Sequence, residues 1–385
     1  MSFEIDVNSK ASVLSAVSLG TLGVLSFIVQ PALVQGFVTH LGLTEPQAVN
    51  LAGLEMLGVA IATILLTLPI NPLNWRQSLA AGLALAIIGN LASAALVGSE
   101  QLWIARLIAG LGHGAIISLS FTFVGLTARV DRNVAWYLVA LLTYGAAGLW
   151  LMPGILDSIG MAGLFLAFAV LLTAGFATLR HIPASSAARV EPSPTARQLG
   201  LGLLAVGLAG VLAYNMAQGI AWAILFLVGV DAGISEGGVA QVLFVSQLFA
   251  IVGALCSVYL AGRFGRRAPI AVGILAGAVC ISLLLDRPSF AVFLVAVCGF
   301  NLLWNFVLPF ILGAIGDFDE KGRMMGLAIA MQMIGLGGGP LLAAHLIGGG
   351  SYRPAELACI GFFLISYLLL TIPMLRHRAL LAERA

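Results

Sequence analysis

Twelve apolar blocks, most of them 20 residues or more, follow one another along this chain with only short polar breaks between them. Nothing else in the sequence limits the fold so tightly, because about 20 helical residues match a hydrocarbon layer roughly 30 Å thick. The blocks fall near 13–38, 48–70, 77–97, 101–127, 134–156, 161–180, 199–229, 238–261, 268–285, 289–315, 323–348 and 355–376. Lipid offers no partners to backbone polar groups, so spanning segments are helices or closed barrels, and the period-2 alternation of a barrel strand is absent. A soluble fold could not hide the surface of a 385-residue chain that is 61% hydrophobic and 9% charged. The sequence therefore predicts an all-α membrane protein with twelve transmembrane helices. Its first block is too long for a signal-peptide core and follows Glu4 and Asp6, which predicts an uncleaved first helix.

Basic residues then set the orientation. Fifteen of the eighteen lie at the termini or in even-numbered connections; Arg287 and Arg353 lie in odd-numbered ones, and Arg106 lies within a span. The positive-inside rule turns that split into cytoplasmic termini, with the chain expected in the inner (cytoplasmic) membrane of a bacterium. A net charge of +2 thus concerns orientation, and no basic stripe interleaved with aromatics points to nucleic acid.

Several kinds of chemistry find no support. The two lysines, Lys10 and Lys321, follow no phosphate-cradling glycine loop, so P-loop ATP hydrolysis is not expected. Cys256, Cys280, Cys298 and Cys359 sit far apart within spans, and no HExxH, GxSxG or CxxC occurs. Neither an enzyme nor a metal or other cofactor is expected. The longest polar stretch, "RHIPASSAARVEPSPTARQ" from Arg180 to Gln198, has the Pro, Ser and Ala content of a linker. It predicts an N-terminal six-helix bundle over 1–180, a cytoplasmic linker over 181–198 and a C-terminal six-helix bundle over 199–385.

A faint repeat relates the two halves. "YLAGRFGRRAPIAVG" (Tyr259 to Gly273) aligns with "LPINPLNWRQSLAAG" (Leu68 to Gly82), pairing Arg267 with Arg76 and Gly273 with Gly82, while Pro340 falls beside Pro153. On three motifs the chain resembles the major facilitator superfamily of twelve-helix secondary transporters. "AGRFGRR" (Ala261 to Arg267) is similar to its conserved loop, with Gly262 where the family usually has Asp. "RLIAGLGHG" (Arg106 to Gly114) resembles its fourth-helix pattern, and "GLGGGP" (Gly335 to Pro340) its proline–glycine element. "LGLTEPQA" (Leu41 to Ala48) resembles the drug and metabolite proton antiporters in particular. The resemblance implies two six-helix halves of like polarity that rock around a midplane site. It also implies a gating role for Gly262, Arg263, Arg266, Arg267 and Pro340. Topology alone also accounts for the arginines of the loop, and Gly110, Gly112 and Gly114 suit helix packing as well as ligand contact. Gly335, Gly337, Gly338, Gly339 and Pro340 predict a bend in the eleventh helix.

Arg106 is the residue that most needs a reason. An unpaired arginine at mid-membrane costs roughly 2.5–3.5 kcal/mol on insertion scales, so it needs a partner or a watery cavity. Glu55 is the one carboxylate deep in a span, about 10 Å into its helix where Arg106 is about 7 Å into its own. Two readings stay open: a static ion pair that locks the first six helices, or a switch in which Glu55 takes a proton and releases Arg106 to hold an anionic cargo group. His113 follows on the same face and is either a second proton carrier or a neutral hydrogen-bonded histidine. His345 is expected near a membrane surface.

The resemblance places cargo contacts on the first, fourth, seventh and tenth helices. Their polar residues are Gln30, Arg106 and His113; Tyr214, Gln218 and Trp222 at spacings of four; and Asn301, Trp304 and Asn305 before Pro309. Such donors among aromatics suit a small amphipathic or aromatic solute, including an organic acid held by Arg106. The expected function is proton-coupled secondary transport by alternating access, with an uncoupled facilitator or a transporter-shaped receptor or assembly factor as alternatives. Expected partners are that small-molecule solute, protons and the lipid bilayer, and the chain is expected to act as a monomer.

Overall fold

The computed structural model describes residues 6–67, 74–125, 127–183, 198–260, 263–318, 324–348 and 350–382. It divides into two compact units, Met1–Arg189 and Val190–Ala385. Among the described residues the regular structure is helical, apart from one isolated bridge between Gly348 and Ser351.

Unit 1 runs through α1 (Lys10–Gly23), α2 (Leu25–Ile28), α3 (Gln30–Leu41), α4 (Glu45–Thr67), α5 (Trp75–Ala95), α6 (Leu102–Gly125), α7 (Val130–Thr173) and α8 (Gly175–Thr178). Unit 2 holds α9 (Leu201–Asp231), α10 (Glu236–Leu260), α11 (Arg267–Ser282), α12 (Phe290–Asp317), α13 (Met324–Leu346) and α14 (Arg353–Ala382). Local chemistry sets several starts: the side chains of Ser9, Asn74 and Ser289 accept hydrogen bonds from Ser12, Gln77 and Val292 N–H groups.

Nine helices among the described residues are long and apolar enough to cross a membrane. The twelve expected spans differ from these nine for identifiable reasons. The first is broken into α1, α2 and α3 at Val24 and Val29 (ψ 12° and 9°). Pro31 lies two residues past the second break and has no N–H to continue the ladder. The freed Leu25 carbonyl accepts the Tyr144 hydroxyl at 2.6 Å instead. The fifth and sixth spans run together as α7, which changes direction at Gly160, where φ is 65° and glycine alone is unstrained. The ninth, α11, is only 16 residues long.

Packing repeats between the units. The second and third spans sit against the fourth (α4 and α5 on α6; α10 and α11 on α12), and the fifth and sixth sit against the first, as α13 and α14 do on α9. Leu65, Val170, Val295 and Leu368 are among the many large apolar side chains left outside, the outer surface of a body solvated by lipid. At the start of the expected linker, His181 and Ile182 are tied to unit 1: their carbonyls accept from Ser12 Oγ (2.9 Å) and from Arg76 Nε and Nη2 (3.2 and 2.9 Å). Residues 184–197 of that linker lie outside the described residues.

In the eleventh span the glycines have a packing role. α13 is helical straight through "GLGGGP", with no break at Pro340. Its glycines instead admit α9: a Cβ on Gly335 would strike Asn215 and the Leu212 carbonyl, and one on Gly339 would strike the Met216 carbonyl. Small residues here serve close backbone approach, which van der Waals packing in lipid rewards.

Candidate functional site

In unit 1 the site grows from one crossing. Gly110 on α6 has no room for a side chain because the Glu55 carbonyl of α4 occupies that space, and Gly114 meets the Val59 carbonyl one turn on. Gly112, on the other flank, faces Gly82 and Ala86 of α5. With α4 and α6 in backbone contact at Glu55 and Gly110, the Glu55 side chain is level with Arg106, one turn before Gly110.

The two form a bidentate pair: Arg106 Nη2 to Glu55 Oε1 at 2.5 Å, and Nε to Oε2 at 3.2 Å. Arg106 is 0% exposed and Glu55 4%. The remaining N–H groups donate to Asn90 Oδ1 (3.1 Å), Ser93 Oγ (3.3 Å) and Ser26 Oγ (3.1 Å), and the Phe165 ring centroid lies 4.7 Å from Cζ. Four of the five guanidinium N–H groups thereby make hydrogen bonds, and Glu55 Oε1 is held by charge alone. Two of the neutral acceptors are themselves held in place. Ser93 donates its own hydroxyl to the Gly89 carbonyl (2.7 Å) and Asn90 its amide to the Ala86 carbonyl (2.8 Å), which leaves their lone pairs for the arginine. Ser26 reaches the cluster from α2, the short piece released by the broken first span.

His113, 2% exposed, joins through its Nε2, 3.5 Å from Asn90 Nδ2. Its Nδ1 makes no hydrogen bond of normal geometry, with the backbone of Leu22 and Gly23 beside it. Glu55, Arg106, Asn90 and His113 therefore form one continuous polar chain inside unit 1. Sequence reasoning missed Asn90, Ser93, Ser26 and Phe165. The only available signal was Asn90 and Ser93 at a spacing of three within an apolar span. Gln30, at the start of α3, is buried, and its Nε2 has no hydrogen-bond partner among the described residues.

In unit 2 the expected contacts form two groups. On α9, Gln218 Nε2 donates to Tyr214 Oη (2.7 Å), Tyr214 packs on Phe363 with centroids 5.7 Å apart, and Gln218 Oε1 makes no hydrogen bond among the described residues. Trp222 meets Trp304 of α12 edge to face at 5.8 Å, and Trp304 also touches Phe300. Asn301 donates to Ser246 Oγ of α10 (2.8 Å), and Asn305 to the Asn301 carbonyl (3.0 Å).

Of the expected gating residues, Gly262 lies outside the described residues. Arg266 makes a bidentate pair with Asp317 at the end of α12 (Nε to Oδ2 2.5 Å, Nη2 to Oδ1 3.1 Å), a partner the sequence did not announce. The Arg263 guanidinium stacks 4.0 Å over Tyr259, Arg267 is exposed, and Pro340 packs against Gly219 of α9. His345 is exposed at the end of α13, its Nδ1 2.7 Å from the Leu341 carbonyl. Among the described residues no group of three or more His, Cys, Asp or Glu is placed to hold a metal.

Residues 206–381 match the family model described as "Major Facilitator Superfamily". No curated protein sequence matches the chain. Solved structures do share its fold. The transporter FucP, captured in the outward conformation, superposes with a TM-score of 0.63 at 16% identity over 94% of this chain and 98% of its own. A D-xylose–proton symporter gives 0.73 at 16% over 92% and 96%. The nucleoside transporter NupG, in a point-mutant form, gives 0.72 at 12% over 94% and 99%. The chain thus matches the Major Facilitator Superfamily by sequence over residues 206–381, within its second unit, and shares the fold of these solved transporters over nearly its whole length.

Proposed function

We infer that this chain is a proton-coupled secondary transporter that carries a small amphipathic or aromatic organic solute, an organic acid fitting best, by alternating access. The observation that supports this reading is the make-up of the Arg106 cluster. Three of the guanidinium N–H groups go to neutral oxygens, while its Nε and Nη2 edge faces a single carboxylate through one hydrogen bond and one ion-pair contact. Protonation of Glu55 thus removes the counter-charge and frees an adjacent pair of donors in one event. That pair is the planar fork that takes a carboxylate bidentately. Proton and solute then compete for one residue, which is what coupling requires. His113, linked through Asn90, supplies a second stop for the proton. Gln30 Nε2 and Gln218 Oε1, buried without partners in their own units, offer polar contacts to a solute, and Trp222 and Trp304 an apolar one. One structural neighbour is a D-xylose–proton symporter, in keeping with such coupling.

A second reading has its own observation. Arg106 is fully enclosed, with four hydrogen bonds and a buried carboxylate against it, the signature of a static lock for unit 1. The test begins with a screen for solutes that raise the thermal unfolding midpoint of the purified protein. Uptake of the stabilising solute is then followed in proteoliposomes with and without a proton gradient. Gradient-driven accumulation that Glu55→Gln abolishes, in a variant that still folds and binds, is the expected result. Accumulation unaffected by Glu55→Gln would leave the lock as the role of the pair. Equal transport without a gradient would mean a facilitator, and tight binding without transport a receptor.

A further inference from the structure

Unit 2 holds a cavity of about 720 Å³ at the end where α12 and α14 finish and α11 begins. The charge bias of the sequence assigns this end to the cytoplasm. Its described charged lining is Arg266, Arg267 and Arg378 against Asp317 alone. Asp317 is 6% exposed and is engaged by Arg266, which leaves the charges of Arg267 and Arg378 in excess. Both of these side chains are exposed, and neither has an ion-pair partner among the described residues. The rest of the wall is mostly apolar, with Phe264, Phe310, Phe318 and Met374 beside the polar Ser257 and His377.

Two further facts fix the level of this cavity. Tyr259 and Phe264, 66% exposed each, project outward beside it, and Arg263 lies over the Tyr259 ring at 4.0 Å. Aromatic rings alternating with arginines at the end of spanning helices mark the headgroup zone of a bilayer. A soluble anion has no use for the apolar wall, and a neutral lipid none for two surplus guanidiniums. A Cβ on Gly313 would collide with the Arg266 guanidinium, which lies against α12.

We propose that this cavity is a binding site for an anionic phospholipid, its phosphate between Arg267 and Arg378 and its chains along the phenylalanine wall. The clamp between Arg266 and Asp317 forms the fixed base of the site, and the two outer arginines read the charge. The site uses no residue of the Arg106 cluster, so its test is separate from that of proton coupling, although Arg266 and Arg267 are also among the expected gating residues.

The test uses the full-length protein purified in neutral detergent, titrated with phosphatidylglycerol, with phosphatidylcholine of the same chains, or with inorganic phosphate, while the thermal unfolding midpoint is followed. Phosphatidylglycerol should raise the midpoint, and phosphatidylcholine should not. Arg378→Gln should weaken the apparent affinity about fivefold, and Arg267→Gln with Arg378→Gln about twenty-five-fold, from roughly 1 kcal/mol per arginine at a membrane surface. Should the double variant not fold, the exposed single variant Arg378→Gln carries the test, with lipid retained on the intact protein in native mass spectrometry as the second readout. An equal shift with both lipids, or an unchanged affinity in the variants, overturns the proposal. A shift of the same size from phosphate alone overturns the lipid as its source.

Discussion

The second and fourth spans cross in the same register in both units, yet a charged cluster sits at one crossing and a neutral one at the other. A Cβ on Gly58 would strike the Leu107 carbonyl in unit 1, and a Cβ on Gly253 would strike the Leu302 carbonyl in unit 2. One residue before those leucines stand Arg106 and Asn301; three before those glycines stand Glu55 and Ala250. Unit 2 thus keeps the backbone contact without the carboxylate, and Asn301 is satisfied by the hydroxyl of Ser246 instead. The first span differs in step. In unit 1 it is broken and delivers Ser26 to Arg106, whereas α9 runs unbroken from Leu201 to Asp231. The crossing is a matter of backbone sterics and is indifferent to what flanks it. A guanidinium, by contrast, demands a counter-charge and enough acceptors for five N–H groups, so it reshapes its neighbours.

The largest expected effect tests that demand. Glu55→Ala leaves Arg106 enclosed without its carboxylate and should destabilise the protein by about 3–5 kcal/mol in denaturant unfolding from micelles. A loss below about 1 kcal/mol would show that the cluster does not depend on its charge. Next come the glycines that the two crossings share. Gly58→Ala and Gly253→Ala push a methyl group onto a helix carbonyl that cannot swing aside, so each should cost about 1–3 kcal/mol, and by similar amounts. A clear inequality between the two would break the claim of a common register. Tyr144→Phe removes the bond to the Leu25 carbonyl at the broken first span and should cost about 1 kcal/mol. Hydrogen exchange should rise locally around residues 24–29, and unchanged exchange there would count against the role given to that hydroxyl. Smallest is Asn301→Ala, which removes one interhelical bond in a neutral environment and should cost roughly 0.6 kcal/mol. A cost rivalling that of Glu55→Ala would erase the distinction between the crossings.

Much of this was legible in advance for particular reasons. Arg106 and Glu55 announced each other because lipid makes an unpaired charge expensive and each is the one residue of its sign deep in a span. Asn90, Ser93 and Ser26 were not legible as its partners. An uncharged polar residue in a span satisfies itself on its own helix four residues back, as Asn90 and Ser93 also do, and only the crossing geometry shows where the leftover lone pairs point. Pro31 was visible, but the break it belongs to was not, since neighbouring helices can keep a proline-bearing span intact, as α13 does at Pro340. Asp317 went unremarked as the partner of Arg266 because they stand 51 positions apart and only α11 packed on α12 unites them.

By itself the sequence determined that the chain is a bundle of membrane helices in two halves, because hydrophobic length and charge bias act through the bilayer and need no tertiary contact. Which acceptors close around Arg106, where the first span breaks, and whether the glycines bend a helix or admit its neighbour were decided by tertiary structure. Each depends on backbones approaching within van der Waals contact, a distance that no linear pattern encodes.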